Sequence, residues 1–283
     1  MRRIESVEEM LAAVDAAGLA PGSWVATDAD GTLWAADVAD LAWRRALGER
    51  RLRVAAAEAM ARELGQLGER SAGEVHADAA RLYELYGLGR ADDWAMLRAM
   101  TSCWAGWSEE ELRAFGRRLW AEQLSPRVYH TTCDLLQGLC ARGYRLAVVS
   151  GSPQLLVEEA VGALGITTRP VVVGALQEQE GALLSERLHH PLPWEQGKVE
   201  LLRARIEGQS VPRAIAAAFG DTFGDLALLN AADGVRVLVH PRPSLLRHAQ
   251  QSADAAWIQF SPRWLRSGEA VVPPGSDQVL QPG

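Results

Sequence analysis

Short apolar runs that alternate with helix-like segments constrain the fold of this chain more than any other feature of its sequence. Segments with helical spacing separate these runs, which are residues 24–27, 145–149, 213–219, 235–239 and 256–259. Runs of this length suit strands that are buried on both faces of a sheet. Strands that alternate with helices predict a parallel sheet with right-handed crossovers. We therefore predict an α/β fold with helices on both faces of a parallel sheet.

A long segment after the first run departs from this alternation. Alanine, leucine, arginine and glutamate dominate it, and β-branched residues are scarce, a composition that favours helices. Its predicted helices are residues 51–64, 77–86, 92–100 and 108–123. Ser108 and Glu111 form a capping-box pattern at the start of the last of them.

The composition divides the chain into three parts. Residues 36–126 are predicted to form an all-helical domain. Residues 1–35 and 127–270 are predicted to form the domain that contains the sheet. Residues 271–283 are rich in proline, glycine and serine, which predicts a flexible tail.

Two local patterns predict how particular elements begin and turn. Ser152 and Pro153 suit the N-cap and the first residue of a helix. The runs at 171–177 and 182–187 flank Gly181, which predicts a β-hairpin.

Polar residues follow three of the predicted strands directly. Asp28 and Asp30 come after the first strand, Ser150 after the second and Asp221 after the third. In a parallel sheet, ligands bind beyond the carboxyl ends of the strands. We therefore expect these side chains to converge on one edge of the sheet.

Each of these groups also has a purely structural interpretation. The pair Asp30–Gly31 is a common turn sequence, Asp221 and Asp225 could stabilise the start of a helix, and Ser150 could cap one. Two carboxylates as close as those after the first strand nevertheless repel each other unless a cation offsets their charge. Carboxylate oxygens are the ligands that Mg²⁺ prefers, so the set predicts a magnesium site.

Lysine usage is the most unusual compositional feature. Lys198, which follows Gly197 at a predicted helix start, is the one lysine among 29 lysines and arginines. A lone lysine is usually exposed to solvent. A compact ammonium can, however, fit between crowded carboxylates and a phosphate, where a planar guanidinium cannot.

In chain order, these residues resemble the four motifs of the haloacid dehalogenase superfamily of phosphohydrolases. The motifs are DADGT at residues 28–32, the serine at 150, the lysine at 198 and GDxxxD at residues 220–225. The runs VSGSP and HPRPSL are similar to its phosphoserine phosphatase-like branch. The resemblance covers residues 20–36 and 127–265. It implies a Rossmann-like sheet domain and identifies the helical insert as a cap of type C1.

The resemblance also implies a role for each matched residue. Asp28 would be the nucleophile that becomes an aspartyl phosphate, and Asp30 the general acid that later activates water. Lys198 would screen negative charge. The residues implied to hold the phosphoryl group are Gly31, Thr32, Ser150, Gly151 and Lys198. The residues implied to bind Mg²⁺ are Asp28, Asp30 (through its carbonyl), Asp221 and Asp225.

The implied function is Mg²⁺-dependent hydrolysis of a small phosphomonoester. Asp37 lies nine residues after Asp28, where phosphoserine phosphatases place an acidic residue for the substrate ammonium. The candidates for binding a substrate carboxylate are Arg50, Arg51, Arg53 and Arg98. Most tryptophans of the helical segment should be core, but one or two at the site could bind a quaternary ammonium. Phosphoserine and an amino-alcohol phosphate, such as phosphocholine or phosphoethanolamine, are the substrates considered.

The sequence leaves two alternative functions open and argues against three other activities of related enzymes. A phosphotransferase or phosphomutase would keep all four motifs, and a catalytically silent binding protein could keep the fold. A carbon–halogen hydrolase would not need the second aspartate. A phosphonatase would need a lysine in the cap, where the sequence has none. A P-type ATPase would need membrane helices.

Charge and cysteine content limit the partners and the location. The formal net charge of −7 argues against nucleic acid or an anionic membrane as a partner. No apolar run approaches the roughly 20 residues that span a bilayer, and no signal peptide is evident. Three cysteines without a CxxC pair argue against disulfides and a zinc site. We expect a cytoplasmic monomer or homodimer that acts on a small phosphorylated metabolite.

Overall fold

The computed structural model describes residues 1–207 and 213–261. The strands in those residues are β1 (Arg2–Ile4), β2 (Trp24–Thr27), β3 (Arg145–Pro153), β4 (Val171–Ala175), β5 (Gln177–Glu180), β6 (Leu183–Leu188), β7 (Ile215–Gly220), β8 (Val235–Val239) and β9 (Trp257–Phe260). Seven of them form a parallel sheet in the order β1-β9-β8-β7-β2-β3-β4. The other two, β5 and β6, form a separate antiparallel hairpin.

Helices cover the sheet and fill the segment between β2 and β3. The α-helices of the described residues are α1 (Val7–Asp15), α2 (Val38–Gly48), α3 (Ala57–Gln66), α4 (Val75–Gly87), α5 (Asp93–Ser102), α6 (Glu109–Leu119), α7 (His130–Ala141), α8 (Gln154–Gly162), α9 (Gln196–Ile206), α10 (Leu226–Asn230) and α11 (Pro243–Gln251). None of these helices is long and apolar enough to cross a lipid bilayer.

Strand β2 shows why the sheet strands read as unbroken apolar runs. Its residues point alternately to the two faces, and all four are buried. Val25 belongs to the core that includes α1, α7 and α8, whereas Trp24 and Ala26 belong to the core that includes α9, α10 and α11. The α/β fold with a helix-covered parallel sheet is therefore confirmed.

Residues 36–126, which lie between β2 and β3, form an all-helical segment, as predicted. It contains α2 to α6, a π-helical turn at Trp120–Leu124 and short 3-10 turns. The capping box of α6 is present, because Glu111 N donates to Ser108 Oγ and Ser108 N donates to the Glu111 carboxylate. The rings of Trp104, Trp107 and Phe115 pack with centroids 5.1 to 5.7 Å apart. These aromatic residues belong to the same apolar core as Val25 and the helices α1, α7 and α8, so the helical segment packs continuously with that face of the sheet.

The two connections between the sheet and the helical segment run side by side. Ala35 N donates to Arg127 O at 2.8 Å, and Tyr129 N donates to Leu33 O at 2.9 Å. An antiparallel bridge joins the residues between them. The division of the chain at 35/36 and 126/127 into two domains stays a prediction.

Strand β3 is longer than predicted, which makes the expected role of Ser152 wrong. The strand continues to Pro153, whose backbone pairs with Ala175 of β4, and α8 begins at Gln154. Pro153 therefore occupies the N-cap position, with no side-chain cap. Ser152 stays extended because strand pairing, a long-range contact, overrides the local capping preference.

The predicted hairpin is displaced along the chain. Residues 171–175 form the edge strand β4 of the main sheet, where they pair with β3. The hairpin instead joins β5 to β6 and turns at Gly181, which has a φ of +65°. The apolar side chains of β4 pack against the sheet core, and that burial decides its partner. The predicted tail at 271–283 lies outside the described residues.

Candidate active site

Three adjacent strands deliver the predicted polar residues to one edge of the sheet. Asp28 follows β2, Ser150 lies in β3 and Asp221 follows β7. Strand β2 pairs with both β3 and β7, so these ends are neighbours. The structure thus brings the candidate residues together, as expected for a parallel sheet.

Lys198 joins two of the aspartates through buried ion pairs. Its Nζ lies 2.6 Å from Asp28 Oδ1 and 2.5 Å from Asp225 Oδ1, and all three side chains are buried. Burial lowers the pKa of Lys198, but the charges and hydrogen bonds of Asp225 and Asp28 outweigh it and raise that pKa above the usual lysine value. The ammonium therefore stays charged and fixes both carboxylates.

The start of α9 places this ammonium. A Cβ at Gly197 would lie 1.9 Å from the carbonyl oxygen of Leu192, so the chain can pass there only with glycine. This close approach sets the backbone position of Lys198 at the first turn of the helix.

The aspartates around Lys198 form an acidic cluster that suits a divalent cation. Carboxylate oxygens of Asp28, Asp221 and Asp225 lie within 4.8 Å of one another. Burial raises the pKa of Asp28 well above its usual value, and the charge of Asp225 adds to this. Burial and the charges of Asp225 and Asp28 likewise raise the pKa of Asp221. When all three carboxylates are ionised, the ammonium balances one of their three negative charges. Mg²⁺ would neutralise the other two, and carboxylate oxygens are the ligands that it prefers.

The three carboxylates are not equally free to bind a cation. Asp225 Oδ2 accepts hydrogen bonds from Asp221 N at 3.1 Å and Thr222 N at 3.0 Å, while its Oδ1 faces Lys198. Across residues 1–207 and 213–261, the carboxylate of Asp221 and Oδ2 of Asp28 accept no hydrogen bond. The geometry therefore favours Asp28 and Asp221 as ligands and Asp225 as the residue that orients them.

Gly31 and Thr32 contribute less to an anion site than the resemblance implies. The Gly31 amide donates to Trp34 O and the Thr32 amide donates to Ala29 O, so both are used within the turn. Gly31 instead makes room for Asp221, because a Cβ there would lie 2.3 Å from Asp221 Oδ2. The Thr32 hydroxyl is buried and has no partner among the described residues, so it remains available.

Ser150 and Gly151 lie where the helical segment approaches the sheet. Ser150 Oγ donates to Asp30 Oδ2 at 2.9 Å. A Cβ at Gly151 would lie 2.8 Å from Leu97 Cδ1 and 3.5 Å from Trp194 Cε3. Leu97 belongs to α5, so a side chain of the helical segment packs directly over this part of β3.

The Asp30 carboxylate accepts four hydrogen bonds. Its Oδ1 accepts from Trp34 Nε1 and from Val38 N, each at 2.8 Å. Its Oδ2 accepts from Ser150 Oγ at 2.9 Å and from Ser152 Oγ at 2.8 Å. The sequence analysis did not identify Trp34 and Ser152 as partners of Asp30. The spacing of Ser150 and Ser152 was the available signal, since alternate residues of a strand share one face.

Asp37 and the four candidate arginines already have structural partners. Asp37 caps α2, where its Oδ1 accepts from Asp40 N at 2.9 Å. All four arginines pair with glutamates, and Arg51 and Arg53 also lie over the Trp107 ring; the pairs are Arg50 with Glu74, Arg51 with Glu49, Arg53 with Glu111 and Arg98 with Glu63. Each candidate arginine therefore already has an acidic partner, with which a substrate carboxylate would compete.

Solved structures of several proteins share this fold. A protein of unknown function from Bordetella pertussis Tohama I aligns with a TM-score of 0.64 at 20% identity, over 85% of this chain and 99% of that one. A functionally unknown protein from Anaerococcus prevotii DSM 20548 aligns with a TM-score of 0.63 at 13% identity, over 91% and 94%. A phosphoserine phosphatase with a phospho-aspartyl intermediate analogue aligns with a TM-score of 0.51 at 18% identity, over 85% and 94%.

Sequence comparison identifies the family. A search of curated proteins finds no match. The family model for haloacid dehalogenase-like hydrolases matches residues 25–230, which include the strand ends and the acidic cluster. Because this match spans most of the chain and contains all four motifs in order, the chain belongs to the haloacid dehalogenase-like hydrolases.

Proposed function

We propose that this hydrolase is a Mg²⁺-dependent phosphatase that acts on a small phosphomonoester through an aspartyl phosphate. The observation that carries the proposal is Asp28 at the end of a central strand, paired with the buried Lys198 and adjacent to the Asp221 carboxylate. Phosphoryl transfer depends on positioning and on neutralising charge, which this arrangement supplies. The phosphoserine phosphatases among the similar folds support the same reaction class.

In the proposed mechanism, Asp28 is the nucleophile and Asp30 is first the general acid and then the general base. A carboxylate oxygen of Asp28 bonds to phosphorus while the ester P–O bond breaks, and Asp30 gives its proton to the departing oxygen to form the alcohol. Asp30 then takes a proton from water, whose oxygen attacks phosphorus, and the P–O bond to Asp28 breaks. Phosphate leaves and both aspartates return to their starting states. Two steps replace one difficult displacement.

Lys198, Asp221 and Asp225 support these steps electrostatically. Lys198 keeps Asp28 Oδ1 in place and offsets negative charge near the phosphoryl group. Mg²⁺ held by Asp28, Asp221 and the Asp30 carbonyl would neutralise charge on the phosphoryl oxygens when bound. Asp225 orients Asp221 and Lys198 through the hydrogen bonds described above.

The contacts around the site favour an amino-alcohol phosphate over phosphoserine. Asp37 is exposed, and we propose that its carboxylate, which caps α2, also binds a substrate ammonium; each candidate arginine already pairs with a glutamate. Four of the tryptophans considered are buried and two are partly buried; they are Trp34, Trp43, Trp104 and Trp107, and then Trp94 and Trp120. The partly buried Trp194 packs against Gly151 and Gly224, and it is the aromatic ring we propose for a cation–π contact with the substrate.

A substrate panel tests the proposed function. Phosphate release is measured with Mg²⁺ for phosphocholine, phosphoethanolamine, phosphoserine, a sugar phosphate and a nucleotide. We expect metal-dependent release, with the highest kcat/KM for the amino-alcohol phosphates. Much faster turnover of the sugar phosphate or the nucleotide would reject the proposed substrate class. No release from any substrate would reject the phosphatase.

A phosphotransferase is the second candidate, because the same residues would transfer the phosphoryl group to a sugar hydroxyl. Product analysis with and without an added acceptor alcohol distinguishes the two. Phosphorylated acceptor in place of free phosphate would identify the transferase. Absence of both products, together with no Mg²⁺ binding, would identify a silent binding protein.

The proposal for partners and location follows from charge and composition. We propose a cytoplasmic enzyme, monomeric or homodimeric, whose partner is the phosphorylated metabolite. The net charge of −7 disfavours nucleic acid and anionic membranes.

Mg²⁺ should stabilise the folded protein, and Asp221 should be needed for this effect. A ligand that binds only the folded state at 100 times its Kd adds about 2.7 kcal/mol to the free energy of unfolding. In Asp221→Asn the stabilisation should be largely lost, while the metal-free variant should be at least as stable as wild type because one buried charge is removed. Thermal unfolding with and without Mg²⁺ measures both effects.

The exposed Asp15 provides the control for this experiment. Asp15 pairs with Arg142 away from the sheet edge, so Asp15→Asn should keep the full response to Mg²⁺. An equal response in wild type and Asp221→Asn would contradict the metal site.

A further inference from the structure

We propose that Ser152 and Trp34 are positioning residues, which hold the Asp30 carboxyl so that its transferable proton is carried on Oδ2. The inference rests on the proposed function, because it concerns how the general acid of that reaction is oriented. It follows from which donors surround each carboxylate oxygen.

The two oxygens of Asp30 face different kinds of partner. Oδ1 accepts from the indole N–H of Trp34 and the amide N–H of Val38, each at 2.8 Å. Neither group can accept a hydrogen bond in return. A proton on Oδ1 would face two N–H groups and have no acceptor, so Oδ1 must stay unprotonated while these bonds persist.

Oδ2 has partners that can reverse their role. It accepts from the hydroxyls of Ser150 and Ser152 at 2.9 and 2.8 Å. A hydroxyl can donate to a carboxylate and also accept from a carboxylic acid. Oδ2 is thus the oxygen that can be protonated without breaking the surrounding contacts. It also lies on the side of Ser150, where the phosphoryl group is proposed to bind.

Ser152 becomes more important once substrate is bound. The Ser150 hydroxyl is proposed to turn to a phosphoryl oxygen, which would withdraw it from Asp30. Ser152 is then the remaining hydroxyl on Oδ2, because the sequence supplies it two residues along the same strand face. Its side chain is buried, so water cannot easily replace it.

Trp34 is held firmly enough to orient Oδ1. The residue is fully buried, and its ring packs edge-on against Trp120 with centroids 6.4 Å apart. Its backbone also pairs with Val128 in the bridge between the two connections. The indole N–H therefore points at Asp30 from a fixed place.

Leaving-group dependence tests this role. Proton donation matters for an alkyl phosphate, whose leaving alkoxide is strongly basic, and little for p-nitrophenyl phosphate, whose leaving group departs without a proton. General acid catalysis contributes about 10²- to 10⁴-fold. We expect Ser152→Ala and Trp34→Phe each to lose a part of that contribution, which lowers kcat/KM for propyl phosphate about 10-fold or more. For p-nitrophenyl phosphate, we expect each variant to lower kcat/KM at most about 2-fold.

Matched controls separate positioning from packing. Ser23 and Trp104 are both buried. Among the described residues, neither the Ser23 Oγ nor the Trp104 Nε1 has a hydrogen-bond partner. Ser23→Ala and Trp104→Phe make the same changes of volume away from Asp30, so they should leave the ratio of the two kcat/KM values unchanged. Thermal unfolding confirms that each variant is folded.

The outcomes distinguish this inference from the proposed function. Equal losses for both substrates in Ser152→Ala and Trp34→Phe, or no loss in either, would overturn the positioning role while the phosphatase stands. Full activity in Asp28→Asn, or no hydrolysis of either ester by wild type, would overturn the proposed function and the inference with it.

Discussion

Asp28→Asn is expected to lower the rate of phosphate release by at least about 10³-fold, as replacements of catalytic nucleophiles do in other enzymes. The amide of asparagine is a poor nucleophile and cannot form the acyl phosphate that the mechanism requires. The measurement is the initial rate of phosphate release, with Mg²⁺, for the best substrate of the panel. A variant that keeps a substantial part of the wild-type rate would show that another residue attacks phosphorus.

The stability of the same variant separates lost chemistry from lost folding. Burial and the charge of Asp225 raise the pKa of Asp28, which means that the ionised carboxylate destabilises the folded protein. Asparagine removes that charge, and Lys198 keeps its ion pair with Asp225. The variant should therefore unfold at a temperature similar to or above that of wild type. Asp15→Asn, at an exposed position, should keep both wild-type activity and stability.

Lys198→Arg is expected to lose activity about 10²-fold or more although it keeps the positive charge, because misplacement of about 1 Å at a reacting group has effects of that size. The ammonium lies 2.6 and 2.5 Å from carboxylates of two different residues in a buried site. A planar guanidinium is wider and must displace one of them. Phosphate release and thermal unfolding are measured together.

Removing the positive charge of Lys198 should also destabilise the folded protein. Lys198→Met leaves Asp28 and Asp225 buried without a cation, and breaking a buried ion pair in this way lowers the free energy of unfolding by about 3 to 5 kcal/mol. Arg203→Lys is the control, since Arg203 is exposed on the same helix and should accept the exchange. Wild-type activity in Lys198→Arg would show that the single lysine has no special role in catalysis.

The strand pattern was predictable because strands buried on both faces are marked locally. The bounds of β2 and β8 agree with the apolar runs at 24–27 and 235–239. The partner of β4 was not predictable from the same runs, because its neighbour β3 precedes it by a whole helix. A local hairpin pattern therefore competed with a long-range pairing and was wrong.

The candidate site was also predictable from the sequence only in part. The meeting of Asp28, Ser150 and Asp221 follows from the rule for parallel strand ends, so the sequence was sufficient. The four donors on Asp30 were not foreseen, because Trp34 resembles an ordinary core residue and Ser152 an ordinary N-cap. Their hydrogen bonds depend on how β3 continues beside the turn after β2, which only the packed structure shows.

The buried position of Lys198 has a practical consequence for handling the protein. A protease specific for lysine has one peptide bond to cleave in this sequence, the bond after residue 198, and that bond lies within the first turns of α9. An amine-reactive label meets one ε-amino group, which is buried between two acids. The bond after residue 198 should therefore resist cleavage in the folded chain, and the ε-amino group of Lys198 should resist labelling. A cut at that bond, or a label on that ε-amino group, then reports that the active centre itself has opened.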